Sequence, residues 1–308
     1  MKKKLFLVVG VLGMLSLSAC DARDEKQINA AIKDKSDAEI VQMVVDANND
    51  EVLTAIYSDG LKLDGEFKMK GDLAALELAS GLGSVKASGS LDISGDISGV
   101  YNASGVQANA NVKAKINMKT VVTEGVTTET KIDLKGSATA ESLNDEADAY
   151  LYAQLSGTAA STKLDQEYKY KFKKDSSNSG IGDIISDIDL SKIDITELKA
   201  VLGSASISVD DGMLLFTWEN EALNSLIGDE VTNAGVKNLK GKASLGFDKN
   251  FHIKNVNIDI KADEMTASIS SIFNGKLENP SIYLNLDVKD GSYSIKSLKD
   301  KDTYSYVK

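Results

Sequence analysis

The chain has 308 residues, 42% of them hydrophobic and 26% charged, with one Pro, one Cys, one His and a formal net charge of −11. This length suits one large domain or two modest ones. The acidic balance argues against nucleic acid and against adhesion to anionic headgroups, and a lone cysteine rules out an intramolecular disulfide.

The first element is a leader. Lys2, Lys3 and Lys4 precede an apolar run from Leu5 to Leu15, and Leu17-Ser18-Ala19-Cys20 closes it. This order of charge, apolar core, small residues and cysteine reads as a secretory signal peptide ending in a bacterial lipobox. The reading sets residues 1–19 as signal peptide, cleavage between Ala19 and Cys20, and diacylglycerol on the Cys20 sulfur. The protein is then expected on the extracytoplasmic face of the cell membrane, held there by lipid. The run is shorter than the roughly 20 apolar residues of a spanning helix. Each buried lipid methylene contributes about 0.8 kcal/mol, so two or three acyl chains anchor stably.

Residues 20–35 are charged and without strong periodicity, and read as a lipidated tether. Ser36-Asp37-Ala38-Glu39 is a capping box, which opens an amphipathic helix. Ile40, Val41, Val44 and Val45 follow helical spacing, and Val52, Leu53 and Ile56 continue it after Asn48-Asn49-Asp50.

From Leu61 the period becomes two. Leu61, Leu63, Phe67 and Met69 alternate with polar residues; Asp72 to Ser84 fits a short helix or a loop equally well. Val85 to Ile97, Val106 to Met118 and Thr130 to Ala138 each set small and apolar residues on one face and polar residues on the other. Further strands fit Ala147 to Ser156 and Leu164 to Lys173. Six such strands joined by short turns predict an antiparallel meander.

Asp175 to Gly182 breaks the pattern, and helical spacing returns at Ile181, Ile184, Ile185 and Ile188. A second capping-box pattern at Asp194 to Glu197 precedes Leu198, Val201 and Leu202. Strands resume at Ile207 and Val209, with a hairpin turn at Asp210-Asp211-Gly212. Met213 to Trp218 reads as a strand buried on both faces, and Asn220 to Ile227 as a short helix. Leu239 to Phe247, Phe251 to Ile260, Met265 to Ile269 and Ile282 to Val288 complete the strands. A phase slip predicts a bulge near Lys254-Asn255, and Pro280 is placed at the start of the last long strand.

The expected fold is mainly β (α+β). A large curved antiparallel sheet or open half-barrel carries an N-terminal helix, with mid-chain helices on its concave face. Residues 36–308 form one domain. Candidate apolar ligand contacts are Ile181, Ile184, Ile185, Ile188, Leu198, Leu202 and Trp218, though apolar helix faces more often meet protein, which favours plain core packing for them.

In element order the mature chain resembles the LolA/LolB and LppX-like group. The capped helix at Ser36 to Ile56, the strand meander and the insertion at Ile181 to Leu202 carry the resemblance. Leu245 to Phe251 also looks like a strand–turn–strand of related lipoproteins. The resemblance implies an unclosed half-barrel that binds acyl chains or another apolar ligand. The strand faces here hold more Ala and Gly than the bulky linings of that group.

Catalytic patterns are missing. His252 has no nucleophile signature beside it, and the one Ser-x-x-Lys is Ser305 to Lys308 at the tail. Asp46, Asn48 and Asp50 have EF-hand spacing, but Glu51 stands where glycine is needed and Tyr57 where glutamate is needed. Asp183, Asp187, Asp189 and Asp194 read as helix caps and a solvated face. The expectation is a non-enzymatic protein with no cofactor and no metal. Its partners are the membrane through Cys20, a lipid ligand, and no nucleic acid. The alternative is an envelope interaction module with a solid core and a protein partner.

Overall fold

The computed structural model describes residues 22–48, 60–80, 83–123, 126–174, 195–225, 235–269 and 273–306. The fold is mainly β: one large, open, mostly antiparallel sheet with few helices. Helices α1 (Ala22–Ile32) and α2 (Asp37–Ala47) come first. Six long strands come next as a meander: β1 (Leu61–Ser80), β2 (Gly83–Asn102), β3 (Gly105–Thr123), β4 (Val126–Leu143), β5 (Asp148–Ala159) and β6 (Thr162–Lys173). After α3 (Ile195–Leu202) come β7 (Ser206–Asp210), β8 (Met213–Glu219), β9 (Lys240–Phe247), β10 (Ile253–Lys261), β11 (Glu264–Ile269), β12 (Phe273–Asp290) and β13 (Ser305–Tyr306).

The 13 strands run in the order β13-β6-β5-β4-β3-β2-β1-β12-β10-β9-β8-β7, with β11 beside β12. The meander and the later strands are joined at the β1–β12 seam, where Leu61 pairs with Asp290 and Met69 with Ile282. Among the described strands only β13 runs parallel to its neighbour, β6.

Local chemistry explains most elements. Ser36 caps α2, its side chain accepting from the Glu39 amide while the Glu39 carboxylate accepts from Ser36 N at 2.8 Å. Asp211 and Gly212 both hold positive φ, +49° and +70°, as a tight two-residue hairpin requires. The bulge anticipated near Lys254 is present as a register shift between Ile253 and Asn255.

Four segments differ from expectation. The predicted tether contains α1, whose Ile28 is fully buried; Ile28 and Ile32 pack with the main core, and that contact stabilises a helix too polar to announce itself. Asp72 to Ser80 continues β1, with register shifts after Lys70 and Leu73 that broke the alternation. Strand β8 is buried on one face, where Leu214, Phe216 and Trp218 join the main core, and half-buried on the other. Pro280 lies inside β12, since pairing begins at Phe273. It is tolerated there because the β1 register skips between Ser281 and Glu278, leaving no ladder bond for the missing amide.

One main core holds Ile28, Ile40, Val41, Val44, Val45 and Leu202 from the helices against Leu214, Phe216, Trp218, Leu245, Phe247, Ile253, Val256, Leu286 and Val288. The helices therefore cover the β7–β10 and β12 side of the sheet. A second, small cluster is Leu73, Ala87 and Leu277. The mid-chain helices expected on a concave face lie outside the described residues, apart from α3.

Candidate functional site

Directly paired residues of antiparallel strands share a face, so the registers define rows of side chains across the sheet. One row runs Ile207, Phe216, Leu245, Val256, Leu286, Gly65, Ile97, Ala110, Ala138, Ala153, Tyr168. From Phe216 to Leu286 it is bulky and buried beneath the helices. From Gly65 to Ala153 it is mostly small, and its residues are only half-buried.

Neighbouring rows repeat the design. Phe67, Gly95, Val112, Gly136 and Leu155 form one, and Leu63, Gly99, Ala108, Ala140 and Leu151 another. A Cβ at Gly95 would stand 2.8 Å from the Phe67 ring and 2.1 Å from the Asn111 carbonyl. The missing side chain is what admits that ring. The result is a shallow apolar surface over β2 to β5, floored by Gly and Ala and walled by Phe67, Ile93, Leu134 and Leu155.

The opposite face is polar. It holds a hollow of about 410 Å3 lined by Glu66, Lys68, Ser94, Asp96, Asn111, Lys113, Lys135, Ser137, Gln154 and Ser156, with Phe67, Gly95, Val112 and Gly136 between them. By the pleat the ten polar residues share one face, and the apolar row behind them supplies backbone. Lys68 pairs with Glu66 at 3.0 Å and lies over the Tyr283 ring. Its pKa is raised mainly by the hydrogen bond to Glu66.

At one end of this polar face the C-terminal segment crosses the sheet as a strap. Asn102 Nδ2 donates to Tyr293 O, and Gln107 Nε2 to Lys296 O, each at 2.7 Å. Glu141, fully buried, accepts from Gln107, from Ser297 Oγ at 3.1 Å and from Leu298 N at 2.9 Å. Lys301 bridges Glu141 and Glu146. Burial pulls the Lys301 pKa down, but hydrogen bonds to both carboxylates outweigh it, so the net shift is upward. Tyr304 packs edge-on against Tyr150 at 5.5 Å.

Of the residues expected to contact a ligand, Leu202 and Trp218 are buried in the main core. Trp218 Nε1 donates to Val201 O at 3.2 Å and Ser204 Oγ at 2.9 Å. Leu198 falls within α3. Ile181, Ile184, Ile185 and Ile188 lie outside the described residues, as do Ala19, Cys20 and the Asp183 to Asp194 carboxylates.

His252 precedes β10, and its backbone amide donates to Asp248 Oδ1 at 3.0 Å, closing the β9–β10 turn. Burial raises the Asp248 pKa against the opposing hydrogen bonds from His252 and Asn250. No group of His, Cys, Asp and Glu that could hold a metal occurs among the described residues. No described helix is long and apolar enough to cross a membrane. The polar hollow and the strap escaped sequence reasoning; both depend on cross-strand register, which alternation alone does not set.

No protein-family model matches the chain, and no curated protein matches it. Among solved structures, the translocator domain of the autotransporter NalP from Neisseria meningitidis is similar at 8% identity and TM-score 0.21. That match covers 86% of this chain and 93% of the other. The outer membrane protein AlkL in DMPC bilayers is similar at 7% identity and TM-score 0.12, over 78% of this chain and 94% of that one. At such scores neither likeness carries an argument. The resemblance to the LolA/LolB and LppX-like half-barrels is corrected. Among the described residues the chain builds one open 13-stranded sheet seamed at β1–β12, in place of the expected half-barrel.

Proposed function

We propose that this protein is an extracytoplasmic lipoprotein, tethered through Cys20, that holds an acyl chain or similar apolar ligand on the open part of its apolar sheet face. The observation that carries this reading is the register row in which buried Phe216, Leu245, Val256 and Leu286 give way to Gly65, Ala110, Ala138 and Ala153. Among the described residues that second half is only half-buried. A strip floored by Gly and Ala admits a thin, flexible, apolar body more readily than a folded surface. Burial of a chain there contributes about 0.8 kcal/mol per methylene. Leu202 and Trp218 anchor the core beside it.

The test is native mass spectrometry of the protein extracted from envelopes in mild detergent, followed by organic extraction. One non-covalent lipid per chain is expected, beyond the covalent anchor, and Ala138→Phe should remove it by filling the strip. A protein that stays free of non-covalent lipid after incubation with envelope lipids overturns the reading and leaves a protein-interaction module in its place.

A further inference from the structure

On the polar face, away from the proposed apolar ligand, the hollow contains an unbalanced pair of charges. Lys113 and Lys135 are direct cross-strand partners on β3 and β4. Opposed side chains of this kind have Cβ atoms about 5 Å apart, and like charges so placed repel. The neighbouring rows avoid the problem. Lys115 has Asp92 and Asp133 opposite it, Lys119 pairs with Glu129 at 3.4 Å, and Lys70 with Asp92 at 3.1 Å. Within the hollow Lys68 is already taken by Glu66. Lys113 and Lys135 have no ion-pair partner among the described residues; their remaining neighbours in the row are Ser94 and Ser156.

We infer that this hollow binds an oxyanion of the phosphate type, held between the Lys113 and Lys135 ammonium groups. The hydroxyls of Ser94 and Ser156 flank the pair; one row away lie the side chains of Asn111 and Ser137 and also the carboxylate of Asp96, which turns an anion away from its own end of the hollow. The two ammonium groups can only donate, and the two hydroxyls can turn to donate as well, which is what phosphate oxygens require. An anion between the lysines removes the repulsion inherent in their register. A volume of about 410 Å3 exceeds one phosphate and fits a phosphate ester with a small polar body. Soluble phosphate esters and lipid headgroups both present this group.

The experiment titrates the full chain in non-ionic detergent with inorganic phosphate and with glycerol 3-phosphate by calorimetry. In parallel, the protein is sedimented with phosphatidylglycerol vesicles. Saturable binding of one phosphate or glycerol 3-phosphate per chain assigns the site to soluble esters; vesicle binding alone assigns it to headgroups. In either case the Lys113→Met/Lys135→Met variant should bind at least tenfold more weakly, while Lys115→Met binds as the parent does. Phosphate should also raise the thermal midpoint of the parent, and Lys113→Met alone should raise it in phosphate-free buffer. Absence of binding to all three probes overturns the inference. So does undiminished binding by the double variant, provided its β-sheet circular dichroism matches the parent.

Discussion

Asn48 ends α2, and its side-chain amide donates to Val44 O at 2.7 Å and to Phe251 O at 2.8 Å. It thereby ties the helix to the turn between β9 and β10, where Phe251 holds a positive φ of +64°. The residue is 1% exposed, so water cannot readily replace the lost donor. Asn48→Ala is expected to lower stability by about 1–3 kcal/mol, the cost of leaving buried carbonyls unpaired. Urea unfolding should show a lower midpoint at unchanged slope; an unchanged midpoint would remove Asn48 from this role. In the sequence Asn48 stands among residues with calcium-loop spacing. Its actual partner, Phe251, is 203 positions away, and no local pattern encodes that distance. Ser36 and Glu39 were legible for the opposite reason, since a capping box is complete within four residues.

Among the elements, the strap depends on one buried charge cluster. Glu141 is fully buried, and Lys301 keeps only 17% of its side chain in solvent. Removing one partner of such a pair strands the other charge, at a cost of about 3–5 kcal/mol. Lys301→Met should therefore free the strap, read as faster hydrogen exchange and earlier proteolysis over residues 293–304, while β3 to β5 exchange as before. The same contact sets a pH response. The folded pKa of Lys301 is raised, so its stabilising contribution is full below the ordinary lysine value and is lost as pH rises through the higher folded value. Strap docking should be flat across neutral pH and fail in strongly alkaline solution. The meander was legible because alternation over long strands has period two. The strap was not, because residues 291–304 have neither helical nor strand periodicity and are fixed by partners on distant strands.

Across the whole molecule the two sides of the sheet differ in what covers them. Large buried side chains gather on β8, β9, β10 and β12 beneath the helices, whereas β3 to β5 present Gly and Ala. Stability is then uneven. Amides of β9 and β10 should exchange more slowly than those of β3 and β4 in the ligand-free protein, and bound lipid should narrow the gap. Equal protection in both regions would contradict this division. Alternation made the strands and their faces readable, yet left out the order in which they lie, because neighbour choice is decided by packing between segments far apart in the chain. That order has its largest effect at the β1–β12 seam. Synthesis runs from the amino end, so β1 is made early and waits, with the edge that β12 will fill unmatched, until nearly everything else has followed. Over that interval an edge some twenty residues long is open to pairing with any other extended chain. Shielding of that edge while the rest of the chain is made should therefore set the yield of the folded protein more than its final stability does.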